Sequence, residues 1–119
     1  MNDLKKFAYD WIDSWNAHDL DRILSHYSDE IEFTSPFVVQ ILKDPTGTIY
    51  GKSQLQDYFK QALDRYPDLK FTLFEVLEGT QSLIVYYQSV NQLLAAEMML
   101  FNEAGKIARV WAHYKKPAL

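Results

Sequence analysis

The sequence predicts an α+β cone, a curved antiparallel β-sheet packed on three helices. Two stretches with apolar residues at helical spacing, and four extended runs in the second half, set the element types. With 48% hydrophobic and 15% aromatic residues in 119, the chain can bury one core, so a single domain over residues 1–119 is expected.

From Leu4 the apolar residues fall at Leu4, Phe7, Ala8, Trp11, Ile12 and Trp15, one helix face, which predicts a helix from Asp3 to Ala17. His18 ends it in a tight connection. In "HDLDRILSHY" Asp19 can accept backbone N–H bonds as an N-cap, and Leu20, Ile23, Leu24 and Tyr27 form a second short stripe with His26 on the solvated side. "DEIEFTSP" changes period: Ile31 and Phe33 alternate with Glu32 and Thr34 as in a half-buried strand, which ends near Ser35 because Pro36 lacks the next donor. Residues 36–50 combine Pro36, Pro45 and Gly47 with the apolar "FVVQIL" and read as a flap folded against the body.

"GKSQLQDYFKQALDRYP" is a helix with Ser53 and Gln56 as a capping box, a stripe of Leu55, Tyr58, Phe59, Ala62, Leu63 and Tyr66, and Pro67 as its stop. The runs "LKFTLFEVL", "SLIVYYQSV", "QLLAAEMMLF" and "KIARVWAHY", separated by turns around Gly79, Asn91 and Gly105, form an antiparallel meander.

Composition narrows the function classes. The chain has no cysteine and its first residues are too polar for a secretory signal, so a cytoplasmic setting is expected. No apolar run approaches the roughly 20 residues that cross a bilayer. A formal net charge of −4 with scattered basic residues argues against a nucleic-acid partner. Three histidines far apart leave no metal-ligand spacing, and "GKS" lacks the preceding glycine of a phosphate loop, so neither metal nor cofactor is expected.

"LLAAEMMLF" places one carboxylate, Glu97, among eight apolar residues. Alternation puts Glu97 on one face with Ala95, Met99 and Phe101, and Ala96, Met98 and Leu100 on the other. A buried carboxylate is costly unless it is paired. Either Glu97 pairs outward with a Lys or Arg, Arg109 on the neighbouring strand being a candidate, or it enters a pocket and titrates above the usual glutamate value of about 4.3. Both sheet faces are apolar while the helices cover only one. The outer face, with Met98, Leu100, Arg109, Trp111 and His113, is therefore expected to meet a second copy in a homodimer.

"WIDSWNAHDLDRILSHYSDEIEF", then "GKSQLQDYF", then "FNEAGKIARVWAHY" resembles the nuclear transport factor two-like (NTF2-like) superfamily, more closely its SnoaL-like and ketosteroid-isomerase-like branches. The resemblance spans nearly the whole chain and implies a cystatin-like roll around a pocket. It includes isomerases, cyclases, dehydratases, hydrolases and inert domains, so it implies no single activity. In the ketosteroid isomerases a base follows the first strand in an Asp-Pro pair, a first-helix tyrosine donates to the substrate oxygen, and a protonated acid on the later sheet donates a second bond. Those positions fall here on Ser35, Trp11 and Glu97. Tyr27 coincides with a supporting tyrosine, and Tyr58 lies one residue from another. A serine without a base beside it does not abstract a proton from carbon, which argues against steroid isomerisation by the family's mechanism. SnoaL-type cyclases use an Asp on the last strand, where "VWAHY" offers His113.

Together these readings imply a domain that binds a small hydrophobic organic ligand, a ring compound, without a cofactor. As an isomerase-, cyclase- or dehydratase-like acid/base enzyme it would use Glu97, Tyr27 and Ser35. The pocket would be lined by Trp11 and Trp15 from the first helix, Phe33 from the first strand, Tyr58 and Phe59 from the later helix, and Phe71, Met99, Phe101, Val110, Ala112 and Tyr114 from the sheet. The alternative is a non-catalytic ligand-binding or dimerisation module that kept the fold and lost the base.

Overall fold

The structure, a computed structural model, describes residues 3–115. Helix α1, Leu4–Asn16, starts on Asp3, whose carboxylate accepts the Lys6 N–H at 3.1 Å, and buries Ala8, Trp11, Ile12 and Trp15. His18 takes a left-handed φ of 55°, and its Nε2 meets the Leu69 carbonyl at 2.8 Å, tying the connection to the far end of the cone. Helix α2, Leu20–Leu24, is capped by Asp19 as its sequence suggests.

The short stripe of α2 does not run to Tyr27, which instead opens strand β1, Tyr27–Thr34. Leaving the helix at Ser25 swings His26 inward, against its expected solvated position. Its ring is buried edge-on to Phe7, with Nδ1 on the Ile23 carbonyl and Nε2 at 2.7 Å from Asp10.

The expected flap is a short helix and a strand. Ser35 caps α3, Pro36–Leu42, by accepting the Phe37 N–H at 3.2 Å. Pro36 thus ends β1 and also begins a helix, where its missing donor costs nothing. Strand β2, Thr48–Tyr50, follows and pairs with β1. Gly47 holds the return turn at φ 67°, its carbonyl accepting the Ser35 N–H at 2.9 Å. Helix α4, Lys52–Arg65, begins at Gly51 with no side-chain cap. The expected Ser53–Gln56 capping box is not formed, because the Gly51 N–H is fixed on the Ile31 carbonyl at 2.8 Å and the helix starts two residues earlier.

Strands β3 (Thr72–Gly79), β4 (Ser82–Gln88), β5 (Leu94–Phe101) and β6 (Ile107–Lys115) form the meander. The sheet order is β2-β1-β6-β5-β4-β3. It is mixed rather than wholly antiparallel, since β1 lies parallel to β6. The core sits between its concave face and the apolar stripes of α1 and α4, where Leu55, Tyr58 and Phe59 are buried.

Removing the α3 cap tests how firmly this helix is held. Ser35→Ala is expected to lower stability by about 1 kcal/mol in urea unfolding; an unchanged midpoint would show that the cap contributes nothing.

Candidate functional site

The alternation of β5 turns Ala95, Glu97 and Met99 toward the helices, all of them buried. Glu97 is 4% exposed, and its cross-strand neighbours are Val85 and Ala112, so no cation faces it from either adjacent strand. The one hydrogen bond it receives from the described residues comes from Tyr87, whose hydroxyl donates to Oε2. Burial raises the carboxyl from its ordinary 4.5 to about 7, while the Tyr87 hydrogen bond pulls it back. Glu97 therefore exists as both acid and carboxylate near neutrality. Arg109, the alternative partner, lies on the outer face, stacked 4.2 Å over Trp111 and bonded to the Glu32 and Val110 carbonyls and to Thr34.

Glu97 lines a cavity of about 60 Å³. Trp11, Trp15, Tyr27, Phe71 and Tyr87 form its α1 side and floor, and Phe33, Tyr58 and Phe59 the α4 side. Half-buried Phe37, Ile41, Tyr66, Val90 and Tyr114 stand at its rim. Edge-to-face ring pairs keep the space open, among them Trp15 on Phe59 at 4.8 Å and Phe37 on Tyr114 at 4.7 Å. Among the described residues of this wall, Glu97 is the only carboxylic acid, and there is no Lys, Arg or His.

The tyrosines are neutral donors. Burial, reinforced by the charge of Glu97, pushes the Tyr27, Tyr87 and Tyr114 hydroxyls well above their ordinary value, and burial raises Tyr58 as well. Trp11 donates its indole N–H to the Tyr27 hydroxyl at 3.0 Å. The buried indole N–H of Trp15 has no acceptor among the described residues.

A sequence model of the SnoaL-like domain matches residues 8–114. The chain belongs to the SnoaL-like family. It is 41% identical to a SnoaL-like protein of unknown function from Burkholderia thailandensis, over 94% of this chain and 93% of that one, with a TM-score of 0.92. A candidate ketosteroid isomerase from Kribbella flavida shares the fold at 15% identity, covering 94% and 77% of the two chains with a TM-score of 0.72. So does SalBIII, an epoxide hydrolase/cyclase-like enzyme of pyran ring formation in the polyether salinomycin, at 15% identity over 93% and 89% with a TM-score of 0.74. No curated protein matches the sequence. The fold is of the NTF2-like, cystatin-like type.

Within this SnoaL-like domain nine residues singled out from the sequence meet at the cavity: Glu97, Tyr27 and Tyr114, with Trp11, Trp15, Phe33, Tyr58, Phe59 and Phe71. Five others stand apart from its wall. Ser35 is buried at the α3 cap, close enough to Tyr58 and Tyr114 to ease their ionisation. Met99 and Val110 are wholly buried opposite each other, Phe101 packs edge-on to Phe7 at 4.9 Å, and Ala112 is hidden beside Glu97. His113 is exposed on the outer face with Nδ1 on the Trp111 carbonyl. Sequence reasoning missed Tyr87, although the alternation Leu83, Val85, Tyr87 in "SLIVYYQSV" points it inward. It also missed Phe37, Ile41, Leu69, Ser89 and Val90, which lie in the flap and in turns without a period to read. Among the described residues no cluster of His, Asp and Glu could hold a metal, and no helix is long and apolar enough to cross a membrane.

Because the folded state holds the Glu97 proton more tightly than the unfolded chain, the stability it confers is complete below about pH 4.5 and is lost as the pH rises through about 7. The span corresponds to roughly 3 kcal/mol. Glu97→Gln is expected to remove this dependence, leaving the variant more stable than the parent at pH 8, and Tyr87→Phe to raise the Glu97 pKa further. Urea unfolding from pH 4.5 to 8.5 and a carbon-detected titration of Glu97 check both; parallel stability curves for parent and Glu97→Gln would contradict them.

Proposed function

We propose that this SnoaL-like domain binds a compact, uncharged organic molecule bearing a carbonyl group and moves a proton on it, with Glu97 as base and then acid. The observation that carries this reading is a lone buried carboxyl, held by Tyr87 and titrating near 7, at the edge of an aromatic cavity. A group poised near the working pH serves both directions of proton transfer. As a carboxylate, Glu97 takes a proton from the carbon beside the carbonyl, giving an enolate and a carboxylic acid. Where a carbon–carbon double bond adjoins the carbon that loses the proton, the enolate is a dienolate, and returning the proton to its far carbon moves the double bond into conjugation with the carbonyl and restores the carboxylate; without that double bond the proton returns to the same carbon and the outcome is exchange.

Recognition of the carbonyl oxygen falls to the neutral donors of the wall, the tyrosine hydroxyls and the Trp15 N–H, which has no acceptor among the described residues. A wall without cations and with one acid disfavours an anionic head group. The size of the cavity favours a single small ring over a fused steroid, which would require the rim residues of α3 and the turn after β4 to move.

A purely binding role is the second reading, favoured by Ser35. In the position of the family's base it serves as a helix cap, and the cavity wall offers no second carboxylate. Deuterium exchange of the α-protons of cyclopentanone in D2O separates the two. The parent is expected to accelerate exchange about 10²-fold or more over Glu97→Gln, with one ionisation near 7. Equal exchange by both proteins while cyclopentanone binds would leave the binding role in its place.

We also propose that two copies pair through the outer sheet face. Leu77, Ile84, Met98 and Trp111 are register partners in one row across four strands, with Leu77 54% and Met98 39% exposed. Leu100 and Arg109 extend the row's edge. Sedimentation at micromolar concentration is expected to show a dimer, and Met98→Glu to shift it to monomer without loss of fold; a stable interface should bury about 1,000 Å² or more. A monomer at all concentrations would overturn the proposal.

A further inference from the structure

The cavity does not end at its rim. A polar groove of about 430 Å³ opens beside it, and the two share Tyr66, Leu69, Ser89 and Val90 as common walls. The groove is several times larger than the cavity, so a ligand that fills the cavity has room to continue outward. One bank is the 66–70 turn, held firmly to α1: Asn16 donates to the Phe71 carbonyl at 3.0 Å and accepts the Phe71 N–H at 2.7 Å, while His18 meets the Leu69 carbonyl. The other bank is the turn after β4, where Asn91 and Gln92 both take left-handed backbone angles, φ 55° and 61°. Two successive non-glycine residues in that region carry strain that the surrounding structure must support, and such strain concentrates at ligand-binding turns.

The groove differs from the cavity in charge. Arg65 and Lys70 stand on its rigid bank, and neither forms an ion pair within the described residues, while Asp68 is the one acid of its wall. Gln88, Asn91 and Gln92 add amide donors from the opposite bank. We infer that the ligand is bipartite: a small neutral head enters the aromatic cavity, and a tail ending in a carboxylate or phosphate lies in the groove against Arg65 and Lys70. The inference rests on the head-binding reading above and adds the tail.

Two probes isolate the tail: cyclopentanone, the head alone, and 3-(2-oxocyclopentyl)propanoate, the same ring ketone with an anionic arm. Binding is followed by amide and indole NMR shifts. Exposed ion pairs are weak, so the propanoate is expected to bind about fivefold more tightly at low salt, with the advantage shrinking as salt is added. Arg65→Gln combined with Lys70→Gln should abolish that advantage and leave cyclopentanone affinity within about twofold. Cyclopentanone binding with no gain from the arm, or a double variant that keeps the gain, would overturn the bipartite ligand and leave the head site standing. If neither probe moves a cavity resonance, the head site falls and the inference falls with it.

Discussion

The hydrogen bond from Tyr87 to Glu97 is the interaction on which the inner face of the sheet depends. A carboxyl placed between Val85 and Ala112, with aromatic rings above it, is almost wholly buried and faces no countercharge among the described residues. An isolated carboxylate in that position would cost several kcal/mol. One strong donor, together with the option of staying protonated, makes it tolerable. The strands thus accept a buried carboxyl whose contribution to the fold changes with its protonation.

The same constraint explains why the cavity persists. Closing it over Glu97 with aliphatic side chains would remove the carboxyl's freedom to change charge, whereas aromatic rings set edge to face leave gaps that their rigid shapes cannot collapse into. Trp11 is tied to Tyr27 through its indole N–H, joining α1 to β1 across the floor. Because β1 lies parallel to β6, Tyr27 enters at the strand's first residue, next to Ile107, and its ring reaches under α4 to Phe59. Trp15 is packed between Phe59 and Phe71, and its indole N–H has no acceptor among the described residues. An indole can only donate, so this end of the cavity is suited to an oxygen that only needs to accept.

The parts legible in the sequence are those fixed by short-range chemistry. Asp19 announces its helix because a carboxylate is the residue type that satisfies free N–H groups, and the alternation in "LLAAEMMLF" groups Glu97 with Ala95 and Met99 because strand geometry admits no other period, while the side of the sheet they take is settled by the helices packed on it. What stayed hidden depends on contacts between distant segments. The start of α4 is set by β1 holding Gly51, which overrides the local signal of Ser53 and Gln56. His26 is drawn inward by Phe7 and Asp10, residues of another helix. α3 has a cap and a proline at its start, but seven residues are too few to show a period, so Phe37 and Ile41 at the rim of the cavity were illegible.

That division between floor and rim bears on what the site can select. The floor is built from wholly buried side chains of α1, β1 and β4, each fixed by neighbours on two or more elements, so it will discriminate by shape. Part of the rim, Phe37, Ile41 and Val90, stands on a one-cap helix and a turn with two left-handed residues, elements with few partners and correspondingly low cost of movement. A ligand larger than the cavity would therefore be accommodated by displacing Phe37, Ile41 and Val90 and not by repacking Trp11 or Tyr87. The acid itself is not free to move: its height in the cavity is set by the β4–β5–β6 register, and a one-residue slip would carry Glu97 to the outer face, where Arg109 could reach it and its proton would be of no use to a ligand inside.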